Sequence, residues 1–311
     1  MIKYSIKVLV LMLGLGVLGV VCLHTVNAYR AERAYRNAYY HHVWKKYPEA
    51  IAYYQEAMRY APLEAYYRSQ AVITYTAWLA TNPEPESTRD RVRAQLEATV
   101  LAAIRLDDLS PWNYTQLGQI YITKSKAPNA DKSMWLTQAQ HQFERAQAID
   151  HQNPLFSRSL AQFYHMDNQL DHAVKYYQYT LALDSRPDQF LDVRYNLGAL
   201  YLNRGDRHLA YTQFESIASV DPTYQIVGEV LAKLYYEDKN YPKVREYLQK
   251  AYVASPYSVA TLERLANFYL NQKDYANAEI YYKKLVNLKP SKTIYQQRHV
   301  YAQKAAKRAV K

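Results

Sequence analysis

The segment Leu197-Gly198-Ala199-Leu200-Tyr201, with Ala210, Phe214 and Pro222 after it, decides how this chain folds. At a spacing of 34 residues its slots are filled again by Leu231, Ala232 and Tyr235, then Val244, Leu248 and Pro256. After a further 34 come Leu265, Ala266 and Tyr269, then Ala278, Tyr282 and Pro290. The slots make physical sense on two helices. Leu197 and Tyr201 stand one turn apart on one helix face, and Gly198 lets a second helix approach closely. Pro222 ends that second helix, because it lacks an N–H and its ring clashes with the preceding turn. Unbroken register across 191–292 makes the pattern specific.

An order of large, small, aromatic, small, aromatic and proline at this period resembles the tetratricopeptide repeat (TPR), a helix–turn–helix unit. The resemblance implies an all-α fold. It would be a right-handed superhelical solenoid of about seven repeats, with a concave groove that takes a protein or peptide segment.

At 311 residues the chain exceeds a usual single-core domain, but a solenoid adds length without enlarging one core. Only seven residues are Gly, and Gly14, Gly16 and Gly19 lie in an N-terminal apolar run. That scarcity argues against sheet-rich folds and against a Gly-rich phosphate cradle. The 34 tyrosines are accounted for first by repeat slots that consume aromatics. A net charge of +11 permits anionic partners without naming one. The sole cysteine, Cys22, lies in the apolar run, which removes any disulfide framework or thiolate metal site.

Residues 1–28 read as a signal anchor, with a cleaved signal peptide as the alternative. Lys3 and Lys7 precede the uncharged run Val8–Leu23, and Val26 and Ala28 would suit a signal-peptidase site. As a helix, 8–26 would measure about 28 Å at ~1.5 Å per residue, close to the hydrocarbon thickness of a bilayer. No Gly or Pro occurs between Gly19 and Pro48, so one helix can leave the membrane and become the first repeat helix. Val21 rather than a small residue precedes Cys22, so there is no lipobox. Arg30, Arg33 and Arg36 compete with Lys3 and Lys7, and the positive-inside rule gives no orientation. The short basic start ahead of an export-like core favours repeats outside the cytoplasm.

The solenoid is expected over 29–292, in repeats at about 31–64, 65–110, 111–153, 154–190, 191–224, 225–258 and 259–292. The second carries extra residues around Ala80–Asp90, where Pro83, Pro85, Ser87 and Thr88 mark a loop. The third has an insertion near Lys124–Ser133, and a short one precedes Leu191. Residues 293–311 read as a basic capping helix over the last apolar face.

No catalytic constellation emerges, and neither a cofactor nor a metal is expected. His41 and His42 are adjacent and point about 100° apart on a helix, while His165, His172, Asp167 and Asp171 surround an ordinary inter-helix turn. His-Glu-x-x-His, Gly-x-Ser-x-Gly and phosphate-loop motifs are all missing. The informative surface is the other face of each repeat's first helix, sampled at i, i+3, i+7 and i+10. In proteins this chain resembles, that stripe lines the groove. The candidate partner-binding residues are Tyr35, Tyr39, Tyr66, Trp112, Arg158, Gln162, Tyr195, Glu229, Lys233, Tyr236, Glu263 and Asn267. The N-terminal stripes are aromatic and nearly neutral, whereas the C-terminal ones carry mixed charge. The basic clamp of the chaperone-binding branch of the family is not matched, since Ile226 and Val230 stand where basic residues would be needed.

A narrower resemblance rests on Ala102-Ala103-Ile104-Arg105-Leu106-Asp107, on Pro111-Trp112-Asn113-Tyr114 running into Leu117-Gly118, and on Ala61-Pro62 with Tyr66-Tyr67. It is similar to the C-terminal repeat region of O-antigen ligase/polymerase-type bacterial membrane proteins. Their many membrane helices and catalytic loop have no counterpart here, so that activity is not carried over. The sequence thus points to a non-enzymatic scaffold in the bacterial cell envelope. It would be single-pass in the cell membrane, or exported after signal cleavage. An accessory factor in envelope polysaccharide assembly, contacting glycan or its glycosyltransferase, is the alternative. Nucleic acid is disfavoured, because the stripes lack a repeated base-reading pair.

Overall fold

The computed structural model describes residues 2–81, 85–222 and 224–309, with backbone alone at 2–11, 13, 14 and 225. The described residues form helices joined by short turns, and no strand is found among them. The helices are α1 (Ile2–Val43), α2 (Tyr47–Tyr60), α3 (Ala65–Thr81), α4 (Glu86–Leu106), α5 (Pro111–Lys124) and α6 (Lys132–Ile149). They continue as α7 (Pro154–Met166), α8 (Leu170–Leu183), α9 (Leu191–Arg204), α10 (Arg207–Val220) and α11 (Gln225–Glu237). The last four are α12 (Tyr241–Ala254), α13 (Val259–Asn271), α14 (Tyr275–Leu288) and α15 (Thr293–Ala309). The chain forms two compact units, Met1–Asp167 and Asn168–Lys311.

In the first unit, Ala31, Ala34, Ala38, Ala50 and Ala57 are buried between α1 and α2, so two backbones meet with little side chain between them. Tyr54, Val72, Tyr75, Val92, Leu96, Val100 and Leu117 extend one apolar cluster from α2 to α5. Gly118 is required where α6 crosses, since a Cβ there would lie 2.8 Å from Phe143 Cε2. The second unit repeats the device: a Cβ on Gly198 would lie 2.9 Å from the Phe214 ring. The slots equivalent to Gly198 hold Ala232 and Ala266, and the register puts Leu248 and Tyr282 at the positions matching Phe214, all of them buried.

Tyrosine at the end of five first helices does more than fill space. Its hydroxyl reaches back to a Gln or Glu on the second helix of the preceding repeat. Tyr75 accepts from Gln55 at 3.3 Å, Tyr201 from Gln178 at 2.7 Å and Tyr269 from Gln249 at 3.0 Å. Tyr164 donates to Glu144 at 2.8 Å and Tyr235 to Glu215 at 2.5 Å. These bonds explain Tyr rather than Phe in that slot, because a buried phenol needs a partner.

Two expectations need correction. Ser87 and Thr88 do not mark a loop: α4 begins at Glu86 with Pro85 as its N-cap, so the extra residues of the second repeat lengthen the helices. Pro83 lies outside the described residues. Ile122, at the i+10 stripe position counted from Trp112, is buried. Among the described residues no helix is long and apolar enough to cross a membrane. The side chains of 1–11, 13 and 14, the first part of the expected anchor, lie outside the described residues, as do Val310 and Lys311.

Candidate binding face

The stripe positions of α1, α3 and α5 carry mostly uncharged side chains. Tyr39, Tyr66, Ile73 and Trp112 are each about half exposed, at 49%, 48%, 51% and 52%. Thr76 and Gln119 are exposed beside them in sequence register. The one acid of that stripe on α1, Glu32, is bonded to Arg36 at 3.1 Å. His42 is turned inward, its Nδ1 2.9 Å from Thr74 Oγ1.

Two of the aromatics are fixed to one another. The Tyr35 and Tyr66 hydroxyls are 2.8 Å apart, with the rings edge-on at 5.4 Å. Tyr35 also lies 5.6 Å from the Tyr67 ring and 6.2 Å from Tyr54. Burial, then the hydrogen bond to Tyr66, raises the Tyr35 pKa. Trp112 is less free than its register suggests. Its ring stands edge-on to Phe156 of α7 at 4.8 Å, and it shields a side chain that is itself fully buried. On α7, Arg158 is partly buried and Gln162 is exposed.

The second unit is different, because most of the candidate residues there are engaged within the chain. Tyr195 packs edge-on to Phe214 at 5.9 Å. Glu229 is ion-paired with Arg264. Glu263 accepts a hydrogen bond from the Tyr295 hydroxyl, and Asn267 Oδ1 accepts from Tyr282 at 2.6 Å and from Arg298 at 2.5 Å. Lys233 is exposed, and Tyr236, edge-on to Tyr241 at 5.8 Å, is exposed as well. The closing helix α15 therefore lays Tyr295 and Arg298 onto the expected groove residues of α13. A signal for this was present: Tyr295 follows Glu263, and Arg298 follows Asn267, by nearly one repeat. A tyrosine and an arginine one turn apart there match α13's acid and amide.

Among the described residues no group of three or more His, Cys, Asp or Glu side chains could hold a metal ion. His165 is partly buried, and burial lowers its pKa.

A model of the tetratricopeptide repeat family matches residues 259–292, which hold α13 and α14. Solved structures of similar architecture include the C-terminal part of a TPR repeat-containing protein from Cytophaga hutchinsonii. It is 15% identical, with a TM-score of 0.61 over 85% of this chain and 98% of that one. A tetratricopeptide repeat protein from Parabacteroides merdae gives 0.52 at 12% identity, over 88% of this chain and 99% of that one. PilF from Pseudomonas aeruginosa gives 0.50 at 18% identity, over 75% and 99%. The chain has the TPR fold. No curated protein matches it. In a TPR fold the first helices of successive repeats lie side by side, so Tyr39, Tyr66 and Trp112 belong to neighbouring turns of one surface. The TPR fold supports a protein–protein interaction scaffold, and such proteins are generally non-enzymatic.

Proposed function

We propose that this chain is a membrane-tethered, non-enzymatic scaffold. It holds an uncharged segment of another protein, rich in aromatic or aliphatic residues, against α1, α3 and α5 of its first unit. One observation carries the reading. Tyr39, Tyr66, Ile73 and Trp112 stay half exposed on a face whose acid Glu32 is paired with Arg36, while Glu263 and Asn267 of the second unit are engaged by α15. Large aromatic anchors with few rotatable bonds are the side chains that dominate interface energies.

Tethering is supported by the run 8–26 and by its described side chains. Met12, Leu15, Val17, Leu18, Val20, Val21 and Leu23 are all exposed, an arrangement that water disfavours. The repeats then stand in the cell envelope outside the cytoplasm. A second reading, contact with an envelope glycan, draws on the Tyr35–Tyr66 hydroxyl pair beside exposed ring faces, since sugars stack on aromatics and bond to hydroxyls.

The test is the double variant Tyr39→Ala with Tyr66→Ala in the full chain. Capture of the partner should fall by at least tenfold if the pair acts as anchors, since ~2 kcal/mol at one anchor already exceeds a tenfold change. Unfolding should shift little. Trp112→Ala is a poorer probe, because it uncovers Phe156. Leu197→Ala, in a buried core slot, is the folding control and should cost about 2–5 kcal/mol. Undiminished capture by the double variant would remove the face from the account. Binding of envelope polysaccharide, lost in the same variant, would favour the second reading.

A further inference from the structure

The turn joining α2 to α3 carries Leu63 at its tip, 83% exposed, the most exposed large hydrophobic side chain among the described residues. Nothing in the repeat pattern calls for leucine there. Its position relative to α1 gives it a meaning. α2 runs back along α1, so that Ala57 packs with Ala31 and Ala34, and the Arg30 guanidinium lies 5.7 Å above the Tyr60 ring. Four residues further along the chain, the turn therefore comes level with the part of α1 just before Arg30. Asn27 is the first residue of the described run to lose full exposure, which marks where the repeat body begins to shield α1.

The apolar run ends at Val26, four residues from Arg30, and a helix rises ~1.5 Å per residue, giving about 6 Å. α1 is a single unbroken helix from Ile2 to Val43, with no turn between the run and the repeat body. A bilayer that holds the run consequently has its headgroup layer at the height of this turn. The side chains found there suit that layer. Tyr29 is 70% exposed, Tyr60 is partly exposed, and Arg30, Arg33 and Arg59 are exposed. Tyrosine favours the boundary between water and hydrocarbon, an aliphatic side chain buries its carbon there, and arginine reaches lipid phosphate.

We infer that the α2–α3 turn, with Leu63, Tyr29 and Tyr60 and the arginines around them, is a lipid-contacting edge seated in the headgroup layer of an anionic bilayer. This rests on the reading of 8–26 as an anchor. It adds that the first unit stands on the membrane at a fixed height and rotation, instead of swinging on a tether. The face of Tyr39 and Tyr66 is then held within a few helical turns of the membrane surface, where a membrane-attached segment would meet it.

The experiment uses the full chain with Cys22→Ser, reconstituted into phosphatidylethanolamine–phosphatidylglycerol vesicles. Single cysteines carry an environment-sensitive fluorophore in three variants, Val17→Cys, Leu63→Cys and Val43→Cys. Each position is exposed, so labelling leaves the core intact. Quenchers are placed on lipid headgroups or deep in the acyl chains. The fluorophore at 17 should be blue-shifted and lose emission to the deep quencher. At 63 it should be blue-shifted and lose emission to the headgroup quencher. At 43, about 26 Å beyond Val26 along α1, it should report water. Water at 63 together with acyl chains at 17 overturns the lipid-contacting edge and leaves the anchor intact. Water at 17 overturns both.

Discussion

Gly198 carries no side chain because Phe214 occupies the space where one would stand, and Gly118 and Phe143 show the same pairing. By register the equivalent pairs are Ala232 with Leu248 and Ala266 with Tyr282, whose hydroxyl bonds to Asn267 at 2.6 Å. The chain thus offers its own substitution series, in which the small residue and the opposing aromatic are chosen together. Gly198→Ala alone should destabilise by about 1–3 kcal/mol through overpacking. Phe214→Leu alone should also destabilise, by loss of buried carbon. Combined, they reproduce the Ala232–Leu248 pair, and the double variant should be more stable than the sum of the two losses predicts. A double-mutant cycle from denaturant unfolding reads this directly. Strict additivity would show that the two residues do not share the space.

The turns between paired helices show what one residue can demand of an element. Gly205 has φ +84°, and its counterparts Lys239 and Lys273, at 34 and 68 residues beyond, adopt φ 59° and 58°. The left-handed conformation is therefore a property of the turn, which lysine accepts under strain and glycine accepts without it. No atom lies within 4 Å of a Cβ on Gly205, so Gly205→Ala isolates the backbone term and should cost about 1–2 kcal/mol. Lys273→Gly should cost nothing or stabilise slightly. Thermal unfolding of the two variants checks the pair, and the reverse ranking would contradict the assignment.

Between elements, a stack of tyrosines joins α10, α11 and α12. Tyr211 and Tyr235 rings are 4.7 Å apart, and Tyr235 and Tyr247 lie nearly parallel at 5.7 Å. Burial and the acid Asp238 push Tyr211 to about 12, and burial with Glu215 and Glu246 nearby does the same for Tyr247. The unfolded chain releases these protons first, near pH 10. Their contribution is thus complete below about pH 10 and is lost as the pH rises toward about 12. Urea midpoints at pH 9 and pH 11.5 should fall accordingly, and less steeply when Tyr211 and Tyr247 are both replaced by Phe. Equal slopes with and without the two phenols would remove them as the cause.

At the scale of the molecule, much of the helical pattern was legible because the repeat writes the same physics several times. Leu197, Leu231 and Leu265 are all buried, as their shared register implies. The open and closed faces were not legible. A stripe position says which way a side chain points, not whether a later element covers it, and Glu263 and Asn267 are covered by Tyr295 and Arg298 from α15. Trp112 likewise reads as a free aromatic until Phe156 is found against it. The extra residues near Pro85 read as a loop from Pro and Ser alone, yet they extend α3 and α4, because Pro at an N-cap starts a helix as readily as it breaks one. In the proposed function, a partner segment docks on the uncharged face of the first unit. The most direct measurement of that docking places a photo-crosslinking side chain in turn at Tyr39, Tyr66, Lys233 and Tyr236 of the full chain in its native cells. One common adduct is expected from positions 39 and 66. In the isolated complex, capture should persist from 0.1 to 0.5 M salt, because screening weakens exposed charge pairs but not apolar burial. A common adduct from 233 and 236 alone, with salt-sensitive capture, would contradict it.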